Sequence, residues 1–71
     1  MRFLSSAHFL DTLGRKIVIN PIYVSSVVEY EDGCFVEIFM TGGECHAVRE
    51  DIFEVMQRLE NAQKPDALAR R

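Results

Sequence analysis

The stretch that decides the fold lies between residues 22 and 50 and reads IYVSSVVEYEDGCFVEIFMTGGECHAVRE. Two turn dipeptides, Asp32-Gly33 and Gly42-Gly43, divide it into three runs that are rich in β-branched and aromatic residues. Short runs of this composition separated by turn residues are typical of antiparallel strands. Because both dipeptides tolerate positive φ angles, each predicts a two-residue hairpin turn. The stretch therefore predicts a three-stranded sheet, with strands within residues 22–31, 34–41 and 44–50.

The flanking sequence predicts one further hairpin and one helix. Residues 9–13 and 15–20 lie on either side of Gly14, which favours two short strands joined by a turn. After Asp51 the apolar residues recur every three or four positions, the period of one helix face; they are Ile52, Val55, Met56, Leu59 and Ala62. Asp51 and Glu54 have the spacing of a capping box, and Pro65 ends the helix near Gln63.

These elements predict an α+β fold. It is a bent antiparallel sheet, or a partly open barrel, of four to five strands with one C-terminal helix. The 71 residues predict a single small domain at residues 1–63 and a flexible basic tail at residues 64–71. A chain of this length buries only about 60% of its unfolded surface, so a lone copy is marginally stable. Association with a second subunit commonly supplies the additional stability that such small domains need.

The two predicted turns set the register of the three strands. Counting outward from them gives the pairs Glu29–Val36, Val27–Ile38, Ser25–Met40, Met40–Cys45, Ile38–Ala47 and Val36–Arg49. Side chains alternate between the two faces of a sheet. One face is then aliphatic and suits the helix, with Val27, Cys34, Val36, Ile38, Met40, Cys45 and Ala47. The opposite face is aromatic, with Val28, Tyr30, Phe35, Phe39 and Val48 beside Glu37 and His46.

An aromatic second face is unexpected, because a sheet with one face in water normally alternates apolar and polar residues. Either the N-terminal strands cover it within a monomeric barrel, or another subunit covers it. We expect a subunit, as a homodimer or higher homo-oligomer, because little chain remains. The predicted partner-binding residues are Tyr30, Phe35, Phe39, His46 and Val48. Phe39 is the expected anchor of self-association, since the register places it beside the small residue Ser26.

The charge distribution makes nucleic acid the less favoured partner. The net charge is −3, but between residues 29 and 54 eight acids accompany the single base Arg49. Phosphate backbones repel such a segment. The alternative function is a nucleic-acid-binding regulator in which Arg2, Arg15, Lys16 and the tail bases contact phosphates. Glu29 and Arg49 flank Val36 in the predicted register and form a possible charge pair, either at the sheet rim or toward a partner.

The sequence offers no convincing catalytic or metal-binding constellation. Its soft ligands lack the paired spacing of a structural zinc site; they are His8, Cys34, Cys45 and His46. Cys45 and His46 point to opposite faces of a strand, which excludes a Cys–His nucleophile pair. We expect both cysteines to be buried as small hydrophobic residues, and we expect no enzyme activity, metal or cofactor. Without a signal sequence or spanning segment, the chain is expected to be cytoplasmic and not bound to a membrane.

Several short motifs resemble the small flagellar FlbD/SwrD-type proteins of bacteria. The similarity covers about residues 13–59; it consists of Leu13-Gly14, Ile19-Asn20-Pro21, Val24, Val27, Glu29, Ile38, Gly42-Gly43, Val48, Glu50 and Val55. The order of strands and helix is also similar to the core of LytTR-type DNA-binding domains and to many phage and plasmid reading frames. LytTR-type domains use basic loops, whereas this chain is acidic in the equivalent stretch. The resemblance implies a small regulatory or adaptor protein and not an enzyme.

Overall fold

A computed structural model describes residues 6–31 and 35–63. The element order is β1 (Ala7–Leu10), β2 (Lys16–Ile19), a 3-10 turn (Pro21–Tyr23), β3 (Val24–Glu29), β4 (Val36–Met40), β5 (Cys45–Val48) and α1 (Ile52–Gln63). The described strands form two antiparallel sheets, β1–β2 and β3–β4–β5, which are not closed into a barrel. The predicted α+β class, with four to five antiparallel strands and one C-terminal helix, is thereby confirmed; the five strands described form two sheets and not the single bent sheet or partly open barrel that was predicted. The tail at residues 64–71 lies outside the described residues.

The β1–β2 hairpin is closed by a three-residue loop, Thr12 to Gly14. The Asp11 N–H donates to the Arg15 carbonyl at 2.9 Å, and the Gly14 N–H donates to the Asp11 carbonyl at 2.9 Å. Gly14 has a φ of 84°, in the left-handed region that glycine adopts without a steric penalty. A type I turn followed by a left-handed residue is a frequent hairpin connection. The predicted hairpin through Gly14 is present, but its first strand spans Ala7–Leu10 and not the predicted residues 9–13, because Thr12 to Gly14 form the loop.

The β4–β5 hairpin has the same loop geometry, and here the predicted two-residue turn is wrong. The Met40 N–H donates to the Glu44 carbonyl at 2.7 Å, and the Gly43 N–H donates to the Met40 carbonyl at 3.0 Å. Gly43, at a φ of 98°, takes the left-handed position. The loop therefore has three residues, Thr41 to Gly43, and shifts the register by one position. The observed pairs are Val36–Val48, Glu37–Ala47, Ile38–His46 and Phe39–Cys45.

The β3–β4 pairing follows the prediction up to a bulge. The pairs Glu29–Val36 and Val27–Ile38 are confirmed. The predicted pair Ser25–Met40 is wrong, because the register shifts between Val24 and Ser26 and Val24 pairs with Met40 instead. The Ser25 hydroxyl donates to the Phe39 carbonyl at 3.1 Å. The predicted Asp32-Gly33 turn and the residue Cys34 lie outside the described residues.

The buried core lies between the two sheets and the helix. It consists of Ala7, Phe9, Ile19, Val36, Ile38, Val48, Val55 and Leu59. Helix α1 contributes Val55 and Leu59, and Ile52 and Ala62 pack at its edge. Met56, predicted to be on the buried stripe, is instead 42% exposed. Asp51 caps the helix as predicted, since its Oδ1 accepts from the Glu54 N–H at 2.9 Å.

The two sheets are joined through the β1–β2 loop and through one arginine. The Thr12 N–H donates to the Ala47 carbonyl at 3.0 Å, next to a β-bridge between Asp11 and Val48. Arg58 of α1 donates from Nη1 to the His8 carbonyl at 3.0 Å and to Glu50 Oε2 at 2.8 Å. These contacts attach the β1–β2 hairpin to the core. The opposite side of the β3–β4–β5 sheet faces away from the helix.

Candidate protein-binding surface

The far side of the β3–β4–β5 sheet is apolar and aromatic. The side chains on this side of the sheet lie outside the buried core. They are Val28, Tyr30, Phe35, Phe39, Cys45 and Ala47, together with Glu37. We call this set the aromatic face. Val28 and Tyr30 are 39% and 38% exposed, and Phe35 and Phe39 are half-buried. Within residues 6–31 and 35–63, apolar groups on this side of the sheet thus remain open to contact.

Tyr30 and Phe35 form the aromatic pair at one end of this face. Their ring centroids are 4.9 Å apart with an interplanar angle of 29°, which is a stacked arrangement. Such pairs contribute about 0.5–1.5 kcal/mol beyond their area burial. The stack therefore places two apolar rings side by side at the end of the face where β3 and β4 are connected.

Glu37 organises the polar part of the face. Its carboxylate accepts a hydrogen bond from the Tyr30 hydroxyl and one from the Cys45 thiol at 3.5 Å. The hydrogen bond to Glu37 raises the pKa of Tyr30, with further contributions from burial and from the carboxylate charge. The pKa of the Cys45 thiol is also raised, first by its hydrogen bond to Glu37, then by burial and by the charge of Glu37. Both groups therefore stay protonated at neutral pH, and Glu37 acts as a structural acceptor on the face.

Phe39 lies at the middle strand between two small neighbours. It pairs with Ser26 on β3 and with Cys45 on β5. The register predicted from the sequence placed His46, and not Cys45, opposite Phe39 on β5. Since serine and cysteine are both small, the Phe39 ring still has no large neighbour across either strand pair.

The one-residue register shift in β5 moves two predicted partner-binding residues off this face. Val48 pairs with Val36 and is fully buried at 0% exposure, so it belongs to the core. His46 pairs with Ile38 and lies on the side that faces the core. A shift of one residue reverses the face of every side chain in a strand. Tyr30, Phe35 and Phe39 keep the face that was predicted for them.

The same shift brings in two residues that the sequence had assigned to the helix side. Cys45 and Ala47 lie on the aromatic face opposite Phe39 and Glu37. Cys45 is an exposed free cysteine, so its predicted burial as a small hydrophobic residue is wrong. A glycine in the second position of Gly42-Gly43 fits a three-residue loop as well as a two-residue one. The glycine pair signalled a hairpin without specifying the loop length.

The predicted charge pair between Glu29 and Arg49 does not form in the structure. Glu29 lies beside Val36 as expected, but Arg49 donates from Nη2 to the Thr12 carbonyl at 3.5 Å. The ion pairs within the described residues are Arg15–Asp11 and Arg58–Glu50. Arg49 instead lines a hollow of about 410 Å³ at the edge of the aromatic face, together with Thr12, Phe35 and Ala47.

Two other kinds of site are absent from the part of the chain that the structure describes. No group of three or more His, Cys, Asp or Glu side chains there is arranged to hold a metal ion. None of the helical residues described forms a segment with the length and hydropathy needed to cross a bilayer. Cys34, one of the four soft ligands considered from the sequence, lies outside these residues.

Comparison with known proteins adds no relative. No family model matches the chain, and neither curated proteins nor solved structures include a significantly similar one.

Proposed function

We propose that this chain is a non-catalytic protein-binding module of the regulatory or adaptor type, and that it self-associates through the aromatic face. The observation that carries the proposal is an apolar second side on a small sheet whose first side already packs on the helix. A contiguous exposed apolar surface is typical of an interaction site. The rings of Tyr30, Phe35 and Phe39 are the kind of side chain that anchors such interfaces.

The size of the core supports self-association. Eight residues make up the buried cluster, drawn from four strands and the helix. A single core of this size rarely supplies more than about 3–5 kcal/mol of net stability. Burial of the aromatic face against a second copy adds apolar contact without lengthening the chain.

The chemistry of the face supports a non-catalytic role in the cytoplasm. A reactive cysteine has a lowered pKa beside a cation or a helix N-terminus, whereas Glu37 raises the pKa of Cys45. An exposed free thiol is also the form of cysteine that persists in a reducing compartment. Both features support a non-catalytic cytoplasmic protein over an enzyme or a secreted protein.

The nucleic-acid alternative has less support among the described cations. Arg15 and Arg58 are each engaged by a carboxylate, at 2.7 Å and 2.8 Å. These carboxylates offset part of the positive charge that the two side chains would present to a phosphate backbone. Lys16 and Arg49 are the other described cations; Arg2 and the tail bases lie outside the described residues.

The test is the oligomeric state of Phe39→Ala compared with Phe53→Ala. Phe53 lies on α1 and is 81% exposed. Phe53→Ala is the matched control, because it removes the same aromatic ring from a different surface. Sedimentation velocity should show the wild type and Phe53→Ala associated. Phe39→Ala should dissociate with about a thirtyfold weaker association constant, since a loss of about 2 kcal/mol is typical for an interface anchor. Circular dichroism should show that it remains folded.

Three outcomes contradict the proposal. They are a wild type that is monomeric at several hundred micromolar, a Phe39→Ala variant that associates like the wild type, and a Phe53→Ala variant that alone dissociates. If Phe39→Ala unfolds, Val28→Lys replaces it. Val28 is an exposed residue on the same face, and a lysine there places a charge in the contact.

A further inference from the structure

The aromatic face has large side chains on one strand and small side chains on the next. Its residues on β4 are Glu37 and Phe39, preceded by Phe35, and its residues on β5 are Cys45 and Ala47. Phe39 pairs with Cys45, and Glu37 pairs with Ala47. The face therefore has a ridge along β4 beside a groove along β5. The inner side chains of two stacked sheets interdigitate, so a second copy of this face can place its ridge in the groove.

A hollow of about 410 Å³ deepens the groove beside Ala47. It is lined by Thr12, Phe35, Ala47 and Arg49. Thr12 belongs to the β1–β2 loop, and its N–H donates to the Ala47 carbonyl at 3.0 Å, so this loop forms the outer wall. The hollow can receive a side chain that a second copy brings opposite Ala47.

Arg49 supplies the positive charge of this hollow. Its Nη2 donates to the Thr12 carbonyl at 3.5 Å, which is a long hydrogen bond. Asp11 and Glu50 line an adjoining hollow with Arg49, but each of these acids is bonded to a different arginine. Among the described residues Arg49 therefore has no carboxylate partner, and its guanidinium can bind a carboxylate from another molecule.

Glu37 is the matching acid on the same face. Glu29, the other acid within β3, β4 and β5, pairs with the buried Val36 and lies on the helix side. Each Glu37 carboxylate oxygen accepts one hydrogen bond, from Tyr30 or from Cys45. Because an ionised carboxylate has about four acceptor positions, Glu37 can still bind a guanidinium.

We propose that two copies stack their aromatic faces about a two-fold axis, with β4 of each copy over β5 of the other. This inference rests on the proposed function and names the contact that sets the docking register. Phe39 lies over Cys45 of the second copy, and Glu37 lies over Ala47 of the second copy and binds its Arg49. Two positions along a strand are about 7 Å apart, a distance that an arginine side chain spans. The contact is isologous, so the Glu37–Arg49 pair forms twice.

The charges of the face favour this offset over the other ways of stacking two copies. With β4 directly over β4, the two Glu37 carboxylates would meet, and like charges across an interface cost association energy. With β4 over β3, Glu37 would lie over Val28, its neighbour in the sheet, and Arg49 would have no carboxylate opposite it. The offset toward β5 separates the two acids and pairs each of them with a cation.

The test reverses the two charges separately and then mixes the variants. Arg49→Glu brings two acids together at each contact, and Glu37→Lys brings two bases together. Sedimentation velocity should show each variant alone associating at least about tenfold more weakly than the wild type. An equimolar mixture should form a heterodimer with nearly the wild-type affinity, because both of its contacts join opposite charges. Lys16→Glu and Glu60→Lys are the controls; they make the same reversals at exposed positions of β2 and α1 and should associate like the wild type.

The outcomes separate this inference from the proposed function. If Phe39→Ala dissociates while Arg49→Glu associates like the wild type, the aromatic face remains the interface and the Glu37–Arg49 contact is wrong. A mixture that associates no better than the separate variants also overturns this contact. A wild type that is monomeric at several hundred micromolar overturns both proposals.

Circular dichroism checks the fold of each variant. If Glu37→Lys unfolds, Glu37→Gln replaces it. Its mixture with Arg49→Glu keeps one of the two ion pairs and has no like charges in contact, so it should associate more strongly than Arg49→Glu alone. Equal association of the mixture and of Arg49→Glu alone would overturn the contact.

Discussion

Asp11 and Arg15 are joined by three hydrogen bonds across the β1–β2 loop. The Asp11 N–H donates to the Arg15 carbonyl at 2.9 Å. The Asp11 carboxylate accepts from the Arg15 backbone N–H at 2.8 Å and from its Nε at 2.7 Å. Since Asp11 also forms the β-bridge to Val48, this pair holds the hairpin against the second sheet. A charged loop residue thereby contributes to the packing of the whole domain.

Stability should depend on the charge of Asp11. Burial acts to raise the pKa of Asp11, but hydrogen bonds from Arg15 and Leu13 and the guanidinium charge outweigh it, so the pKa lies below its ordinary value of 3.8. A lowered folded-state pKa stabilises the fold above the unfolded-state pKa, and this contribution is lost as the pH falls through the folded-state value. Asp11→Asn should therefore have a lower urea midpoint at pH 7, and the difference from wild type should shrink below about pH 4.

The matched control for Asp11→Asn is Asp51→Asn. Asp51 caps α1 by accepting from the Glu54 N–H at 2.9 Å, and asparagine caps helices about as well as aspartate. We expect Asp51→Asn to unfold at nearly the wild-type urea midpoint. A difference between Asp11→Asn and wild type that stays constant from pH 7 to pH 2 would contradict the role of the Asp11 charge.

Gly14 and Gly43 should be costly to replace, whereas Gly42 should not. Gly14 and Gly43 have φ angles of 84° and 98°, and an added Cβ meets no atom within 4 Å at either position. Alanine there costs about 1–2 kcal/mol for the left-handed backbone alone. Gly42→Ala is the control within the same loop, because Gly42 has open space and no positive φ.

Urea denaturation measures the change in unfolding free energy for each of the three alanine variants. We expect Gly14→Ala and Gly43→Ala to lose about 1–2 kcal/mol of unfolding free energy. Gly42→Ala should be neutral or slightly stabilising, because alanine reduces the freedom of the unfolded chain. Equal destabilisation of Gly42→Ala and Gly43→Ala would show that the loop has another geometry.

Removal of the Glu37 charge should lower the pKa of both Tyr30 and Cys45 toward their ordinary values. Glu37 accepts hydrogen bonds from both groups, and its charge disfavours their ionisation. Phenolate absorbance followed with pH, with Tyr30→Phe to identify the transition, measures the first group. The rate of thiol alkylation in a Cys34→Ser background measures the second.

Glu44→Gln is the control for Glu37→Gln. Glu44 is exposed and adjacent to Cys45 in sequence, but neither the phenol nor the thiol is hydrogen-bonded to it. The Cys45 thiol should be alkylated faster at neutral pH in Glu37→Gln than in the wild type. In Glu44→Gln it should be alkylated at nearly the wild-type rate. If both variants change the rate equally, the general acidity of the segment and not the Glu37 hydrogen bond controls the thiol.

Leu59 and Met56 should differ sharply in their contribution to stability. Leu59 is 4% exposed in the core, whereas Met56, predicted on the same helix stripe, is 42% exposed. Leu59→Ala should cost about 2–5 kcal/mol through lost burial and a residual cavity. Met56→Ala should cost far less, with exposed substitutions typically within about 0.5 kcal/mol. Thermal and urea unfolding by circular dichroism compare the two, and similar losses would place Met56 in the core.

Local sequence signals predicted the elements of this fold because each acts over a few residues. Asp51 caps the helix through the N–H of Glu54, and Gly14 supplies the positive φ that closes the first hairpin. The pairs Glu29–Val36 and Val27–Ile38 followed from the position of the β3–β4 connection. Three aromatic residues of the candidate site, Tyr30, Phe35 and Phe39, were assigned to the correct side of the sheet for the same reason.

The register of β5 depended on the packed structure. Gly42-Gly43 is compatible with loops of two or three residues, and the two lengths place Val48 on opposite faces. The three-residue loop buries Val48 opposite Val36 in the core, so the gain from apolar burial favours that register. Cys45 and Ala47 then lie on the aromatic face, and His46 does not. Local turn chemistry specified that a hairpin forms here, whereas burial of Val48 between the sheets and the helix selected which side chains a partner can reach.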